Sequence, residues 1–493
     1  MTARTPAPGG DSALLARRAR DLVRRPTVSC RPDTPVSEAA RLMSRHGVGS
    51  VVVSDGAGAP VGIVTDRDLR NRVVAAAVPV TTAVRAIMSA PLRAIPAGAL
   101  ALEALLEMTR HGIHHLGVIE EGRLLGMISS HDLVSLQSAH PVGLAADMER
   151  ATTLDELARP ASRLVDVIRA LADGGAQAVE IGRIIAELND RTVRRLLALV
   201  EAAIAADAGH RPPAPYSWLV AGSEGRREQT LKTDQDNGLV YQDPDPAEAP
   251  ACEAYFRRLS AAAADGLSRM GFPPCPGGFM ASNPRWCRPL SAWRAEVDTW
   301  LETPEPQRLL LASVFCDIRP VAGDERPGLA LWQWICERAP ASPLFLRFMA
   351  LSALEHAPAL DLLGRLGVAR RGPHRGRIDL KASAILPVTQ AMRVYALALG
   401  SAETNTMDRL QVAQDQGALP SAESRDVRDA YAVVSRLRLR HQLDLLAAGQ
   451  APDNWIDPAA LPRTDRAVLK EAFKTIAWLQ RLLEDRFQTR LVS

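Results

Sequence analysis

The sequence predicts an α+β multidomain protein, and three observations carry that reading. Its 493 residues exceed one compact core, because domains cluster at roughly 100–150 residues. A helix–strand–turn–strand unit near the start recurs about 65 residues later. Further on, an apolar strand ends in Gly222-Ser223 and another opens at Asp234-Gln235-Asp236, after which helical periodicity runs to the end. Composition agrees with a folded chain, at 47% hydrophobic and 23% charged residues. The net charge of +3, from 59 basic and 56 acidic residues, lacks the density of a dedicated nucleic-acid binder. Four lysines stand against 55 arginines, a bias that follows from a GC-rich genome, so arginine number says little about function while each lysine says more. The six cysteines form no C-x-x-C pair, which fits neither a disulfide framework nor a zinc site. No signal-peptide core follows the arginine-rich start, and no run reaches the ~18 apolar residues of a spanning helix. A cytoplasmic protein without a membrane partner is expected.

The repeat occupies residues 20–140. His46-Gly47-Val48 opens a run ending in Val61-Gly62-Ile63-Val64-Thr65-Asp66-Arg67-Asp68, and His111-Gly112-Ile113 opens one ending in Leu125-Gly126-Met127-Ile128-Ser129-Ser130-His131-Asp132. Val51-Val52-Val53 reads as a short buried strand and Ser54-Asp55-Gly56 as its turn. These features resemble tandem CBS domains, at about 20–80 and 84–140. The resemblance implies a pseudo-dimer whose clefts bind an adenine nucleotide such as AMP or ATP, and a homodimer formed through the pair. The family's ligand motif, a hydroxyl residue followed three positions later by Asp, is matched by Thr65 with Asp68 and by Ser129 with Asp132. Asp accepts hydrogen bonds from ribose hydroxyls, while the hydroxyl residue and nearby amides face phosphate. Thr65 and Ser129 equally suit plain helix N-caps.

Residues 145–213 form a helical connector, with Ile181, Ile184, Ile185, Leu188, Val193, Leu196, Leu197 and Val200 at helical spacing and a break at Gly174-Gly175. Arg211-Pro212-Pro213-Ala214-Pro215 ends it, and a new domain, 216–328, begins at Tyr216.

That domain carries the chemistry. Trp218-Leu219-Val220-Ala221-Gly222-Ser223 leads through Gly225-Arg226-Arg227-Glu228 to Asp234-Gln235-Asp236, eleven residues separating Ser223 from Asp234. Residues at i and i+2 of a strand share a face, so Asp234 and Asp236 point the same way and suit magnesium, which takes carboxylates, waters and substrate phosphates. Gly222 lets backbone approach a triphosphate, and Ser223 offers hydroxyl and amide to it. The pattern resembles the polymerase-beta-type nucleotidyltransferase superfamily, and its Gly-Arg-x-Glu element is similar to that of protein-PII uridylyltransferases. The resemblance implies a third carboxylate on a later strand. Asp317, in the strand-like run Ala312-Ser313-Val314-Phe315-Cys316-Asp317-Ile318-Arg319, is its candidate, with an ion pair to Arg319 as the alternative. Arg226 faces phosphate or pairs with Glu228, which fixes an arginine or a helix end.

Residues 335–493 read as helices, with amphipathic runs near 343–365, 384–400, 425–448 and 464–489. Pro274-Cys275-Pro276-Gly277-Gly278, Arg377-Ile378-Asp379-Leu380-Lys381 with Arg393, and Thr404-Asn405-Thr406 with Arg409 extend the resemblance to bacterial signal-transduction nucleotidyltransferases. These join a CBS sensor to a catalytic domain and a helical substrate-binding domain. Lys381 either reaches the triphosphate or pairs with Asp379. The expected activity is magnesium-dependent transfer of NMP from an NTP to a protein or small-molecule acceptor. Asp234, Asp236 and Asp317 would hold a two-metal site, Gly222, Ser223, Arg226 and Lys381 would bind nucleotide, and the CBS pair would regulate. The alternative is a nucleotide-sensing scaffold without turnover.

Overall fold

The computed structural model describes residues 18–23, 27–130, 141–208, 211–229, 231, 234–361 and 364–491. Contacts divide the chain into two compact units, residues 1–145 with 173–176 and residues 146–172 with 177–493.

In the first unit each half builds one three-stranded sheet. Strand β1 (Ser29–Cys30) runs parallel to β2 (Ser50–Ser54), which pairs antiparallel with β3 (Pro60–Thr65). Helix α1 (Val36–His46) leads into β2. Strands β4 (Ala94–Pro96), β5 (His115–Glu120) and β6 (Arg123–Ser129) repeat the pattern behind α2 (Ala101–His111). Gly47 and Gly112 end the two helices in the left-handed conformation, which only glycine adopts without strain. The hairpins differ: Asp55 Oδ1 accepts from Ala57 and Ala59 amides in the first, whereas Glu121 and Gly122, both at positive φ, make a two-residue turn in the second. Each half has its own apolar core. Where they meet, the Ser50 hydroxyl lies 3.3 Å from His115 Nδ1. Ser50 and His115 are equivalent positions of the repeat, so the contact sits on a local two-fold axis.

The second unit is built on a four-stranded sheet in the order β10-β7-β8-β9. Helix α3 (Ala178–Ala208) precedes β7 (Tyr216–Val220), which is antiparallel to β8 (Asn237–Tyr241). Helix α4 (Gly222–Gly225) is one turn between them. Helix α5 (Ala249–Arg269) crosses over to β9 (Cys287–Pro289), parallel to β8. After α6 (Leu290–Glu302) and α7 (Pro306–Phe315), β10 (Arg319–Gly323) pairs antiparallel with β7, and α8 (Glu325–Arg338) follows. The run expected as a strand before Arg319 is therefore largely helical. Leu309, Ala312 and Phe315 recur at three-residue spacing and are buried on one face of α7, which helical but not extended geometry allows.

The remaining chain is mostly helical: α9 (Pro343–Leu354), the one-turn π-helical segment Lys381–Ile385 continuing into α10 (Leu386–Ala398), α11 (Thr406–Asp415), α12 (Ser421–Ala447) and α13 (Arg463–Phe487). The short strands β11 (Ile378–Asp379) and β12 (Trp455–Ile456) clamp the start of the π-helical segment. One continuous apolar core runs from Leu219 and Val240 of the sheet, through Trp293, Phe315 and Tyr395, to Phe473 and Leu483 of α13. Trp293 Nε1 donates to the Leu239 carbonyl at 3.1 Å, satisfying its buried polar atom. Among the described residues no helix is long and apolar enough to cross a membrane, and all six cysteines are free, five of them buried.

Candidate functional site

Strand β7 delivers Gly222 and Ser223, and the segment before β8 delivers the carboxylates. The Ala221 amide donates to the Asp236 carbonyl at 2.9 Å, so the two segments are zipped together up to the turn. Gly222 sits at φ +59°, and a Cβ there would lie 3.1 Å from Asp236 Oδ2. The alternation expected at Asp234-Gln235-Asp236 holds although β8 starts one residue later. Gln235 is buried and its side-chain amide donates to Phe272 O (2.9 Å), Ser268 Oγ (3.0 Å) and Ala264 O (3.2 Å), leaving Asp234 exposed and Asp236 half-buried on the other face. The turn-rich segment singled out in the sequence packs alongside: the Gln235 amide donates to Pro273 O, and the Cys275 thiol bonds to the Asp236 carboxylate. Burial pushes the Asp236 carboxyl above its ordinary range and Asp234 adds to that, while Cys275 and Lys381 pull the other way.

Asp317 is not with this pair. It lies in the turn after α7, fully buried, and three guanidinia surround it. Arg409 Nη1 donates to Oδ1 at 2.6 Å and Arg393 Nε to the same oxygen at 3.0 Å, while Arg226 Nη1 and Arg393 Nη2 donate to Oδ2. These cations hold the carboxyl well below the usual range in spite of its burial. The expectation of a third metal ligand is corrected by this geometry, since a carboxylate so fully engaged has no lone pair to spare. The pairing alternative is corrected as well, because Arg319 bonds instead to Asp190 of α3 at 2.7 and 2.9 Å.

Around Asp317 the helical half grips the Gly-Arg-x-Glu turn. Gly225 rests on the Asp317 carbonyl, where a Cβ would come within 1.7 Å of that oxygen. Thr404 Oγ1 donates to Gly225 O (3.0 Å), Asn405 Nδ2 to Arg226 O (2.9 Å), and the Thr406 amide to Glu228 Oε1 (2.7 Å). Glu228 thus fixes both an arginine, through Arg226 Nε at 2.7 Å, and the start of α11. Gly225→Ala forces this backbone apart, and a loss of about 2 kcal/mol or more of unfolding free energy is expected by denaturant titration, at the upper end of ordinary point changes.

Beneath the turn, Glu224 is buried with Asp190 and Arg319 as neighbours, and burial pushes its carboxyl up to about 8. A raised carboxyl favours the folded state most below its unfolded value near 4.5 and loses that contribution as pH rises toward 8. Glu224→Gln removes the titration, so its Tm advantage over wild type is expected to widen from pH 5 to pH 8.

Ser223, Arg226, Asp234 and Lys381 line one cleft of about 240 Å³, between the sheet and the helical half. Lys381 makes no ion pair with Asp379, whose Oδ1 accepts from the Ala382 amide at 3.0 Å. Partial burial and then Arg438 lower its ammonium from the ordinary value, while Asp236 and Asp234 support the charge. Among the described residues no group of three or more His, Cys, Asp or Glu side chains converges as a metal cage. The donor set of Asp234 and Asp236 fits an ion that keeps waters and takes its other ligands from substrate phosphate.

In the first unit, Thr65 caps the turn starting at Asp66. Its Oγ1 donates to Asp68 Oδ2 at 2.7 Å and accepts from the Asp68 amide at 3.3 Å, and Arg72 lies 3.4 Å from Asp68 Oδ1. Ser129 ends β6 at the equivalent position, and Asp132 lies outside the described residues.

Residues 162–307 match the family described as "Putative nucleotidyltransferase DUF294", residues 343–487 the "Putative nucleotidyltransferase substrate binding domain", and residues 19–75 and 84–139 the CBS domain. The chain belongs to the CBS-containing DUF294 family. In DUF294 terms, Gly222, Ser223, Asp234 and Asp236 fall in the first match and Lys381, Arg393 and Arg409 in the second, with Asp317 between them. An uncharacterized protein of Methanopyrus kandleri is 31% identical over 119 residues, 24% of this chain and 61% of its own. Inosine-5'-monophosphate dehydrogenase of Mycobacterium tuberculosis is 34% identical over 116 residues, 23% of this chain and 21% of the enzyme. A CBS domain protein of Pyrobaculum aerophilum, solved in complex with AMP, is 28% identical over 26% of this chain and 99% of its own, at a TM-score of 0.24.

The sequence singled out Arg393 as a helper of Lys381 at the triphosphate, and Arg409 and Thr404-Asn405-Thr406 without partners; in the structure Arg393 and Arg409 both engage Asp317. The sequence missed Tyr431, Ser435, Arg438 and Gln442, which also line the cleft. Their signal was their spacing, four, three and four residues apart, a polar stripe along an otherwise core-facing helix.

Proposed function

We propose that this chain is a magnesium-dependent nucleotidyltransferase, moving NMP from an NTP to a protein or small-molecule acceptor as protein-PII uridylyltransferases do. One observation carries the reading: Gly222 packs so closely on the Asp236 carboxylate that a Cβ there would lie 3.1 Å from Oδ2, and Ser223, Asp234 and Lys381 open into one cleft. Ser223 and Lys381 bind the triphosphate, and Asp234 with Asp236 holds the ion that accompanies it. Magnesium held there would supply charge to neutralise the leaving group and to activate the acceptor hydroxyl. The acceptor oxygen bonds to the α-phosphorus as the α–β bridging P–O bond breaks, pyrophosphate departs, and the acceptor proton is released to solvent. Arg226, already bonded to Asp317 and Glu228, serves by holding the turn.

The test is incubation with magnesium and each α-labelled nucleoside triphosphate in host lysate. Label passing to a discrete acceptor supports transfer. The engagement of Asp317, which leaves two carboxylates at the cleft, favours a second reading, a nucleotide-sensing scaffold. Magnesium-dependent binding without label transfer selects that reading.

Regulation belongs to the CBS pair, which binds an adenine nucleotide at Thr65 and Asp68 and assembles the chain as a homodimer. Binding with unequal affinity for two domain arrangements shifts their populations. Asp68→Ala is expected to weaken AMP binding about tenfold by calorimetry, and an unchanged affinity removes Asp68 from the ligand site.

A further inference from the structure

Helix α12 presents Tyr431, Ser435, Arg438 and Gln442 along one side, and all four line the cleft that holds Asp234 and Lys381. The outer two are nearly fully buried, Tyr431 at 4% and Gln442 at 5% exposure. Tyr431 is already used, its hydroxyl bonded to Glu228. Gln442 is only half used: Nε2 donates to Asn454 Oδ1 at 3.2 Å, while Oε1 is buried with no hydrogen-bond partner. A buried, unpaired amide oxygen costs on the order of 1–3 kcal/mol, a cost that a donor arriving with a ligand would cancel.

Asn454, on the loop before β12, supplies the complementary group. Its Oδ1 accepts from Arg438 Nε at 2.7 Å as well as from Gln442, which fixes the amide plane and turns Nδ2 away from both. Among the described residues Nδ2 donates to nothing. The loop itself is pinned by Asp453 Oδ1, which bonds His441 Nε2 and the Trp455 amide. Gln442, with an acceptor to spare, and Asn454, with a donor to spare, are thus joined by a hydrogen bond, and both residues line the cleft. Val179, Leu231, Ile385 and Leu386 line the same cleft with apolar surface. Planar rings with polar edges meet both requirements at once, apolar surface for their faces and paired donor and acceptor for their rim.

We infer that Gln442 and Asn454 form the nucleobase-reading subsite of this cleft and set which NTP it takes. The inference rests on the transferase reading only in placing the triphosphate at Ser223 and Lys381. Every base carries an adjacent donor and acceptor on its rim, and fixed partners accept one order of the two and reject the other by leaving buried groups unpaired.

The experiment measures binding of the four ribonucleoside triphosphates and of inorganic tripolyphosphate, each with magnesium, to wild type, Gln442→Leu and Asn454→Asp. Gln442→Leu deletes the acceptor, and Asn454→Asp keeps the Arg438 partner while replacing the donor by an acceptor. Wild type is expected to prefer one nucleotide. Both variants should lower the ratio of best to worst nucleotide about tenfold or more, with tripolyphosphate affinity unchanged as the sign of an intact cleft. Ratios unchanged in both variants, or a wild type that binds all four alike, overturn the inference while leaving the transferase reading standing. A folded wild type that binds neither nucleotides nor tripolyphosphate overturns both.

Discussion

Asp317→Asn is expected to destabilise the protein by about 3–5 kcal/mol, because it leaves three buried guanidinia facing a neutral amide. Folding stabilities of about 5–15 kcal/mol leave little margin for such a loss, so a large fall in Tm or failure to accumulate is the expected readout. The pH dependence separates an ion-paired carboxylate from a metal ligand. A carboxyl held below its ordinary range contributes fully above its unfolded value of about 3.9, and that contribution disappears only as pH falls through the lower folded value. The Tm difference between wild type and Asp317→Asn should therefore be flat from pH 5 to pH 8. A metal ligand would behave otherwise: the variant would fold with a normal Tm and lose only magnesium-dependent function.

The opposite pattern is expected at the cleft. The double change Asp234→Ala/Asp236→Ala should reduce label transfer by about 10³-fold or more while leaving Tm unchanged or slightly higher. Asp234 is exposed and Asp236 half-buried, and Asp234 raises the cost of charging Asp236, so removing both relieves repulsion and loses only the Cys275 thiol bond. Transfer persisting in the double variant would place the chemistry elsewhere in the molecule. The two experiments together distinguish a carboxylate that holds the fold from carboxylates that serve a substrate.

Much of this was legible in the sequence. The repeat, the strand starting at Tyr216, the alternation at Asp234-Gln235-Asp236 and the main C-terminal helices follow from local periodicity and turn chemistry, which act over a few residues. Of the helical runs, the first ends at Leu354 instead of 365, since Pro358 and the turn around Gly364 interrupt it. What was not legible is long-range pairing. Asp317 and Arg319 are two residues apart, yet Asp317 bonds to partners at positions 226, 393 and 409 and Arg319 to one at position 190. An apolar run ending in a carboxylate looks the same whether metal or guanidinium waits for it, and a short apolar run such as Ala312-Ser313-Val314-Phe315 suits either a buried helix or a strand.

The apolar core that passes without interruption from the sheet to α13 bears on how such a chain can be recombined. Segments 162–307 and 343–487 correspond to two families, yet they bury one another's side chains and are stitched through Gly225, Asp317 and Arg409. Cutting between them would expose both halves of a single interior. The CBS pair encloses cores of its own. In a gene fusion the sensor is thus the interchangeable part, whereas the two family-matched segments travel as one inseparable cassette.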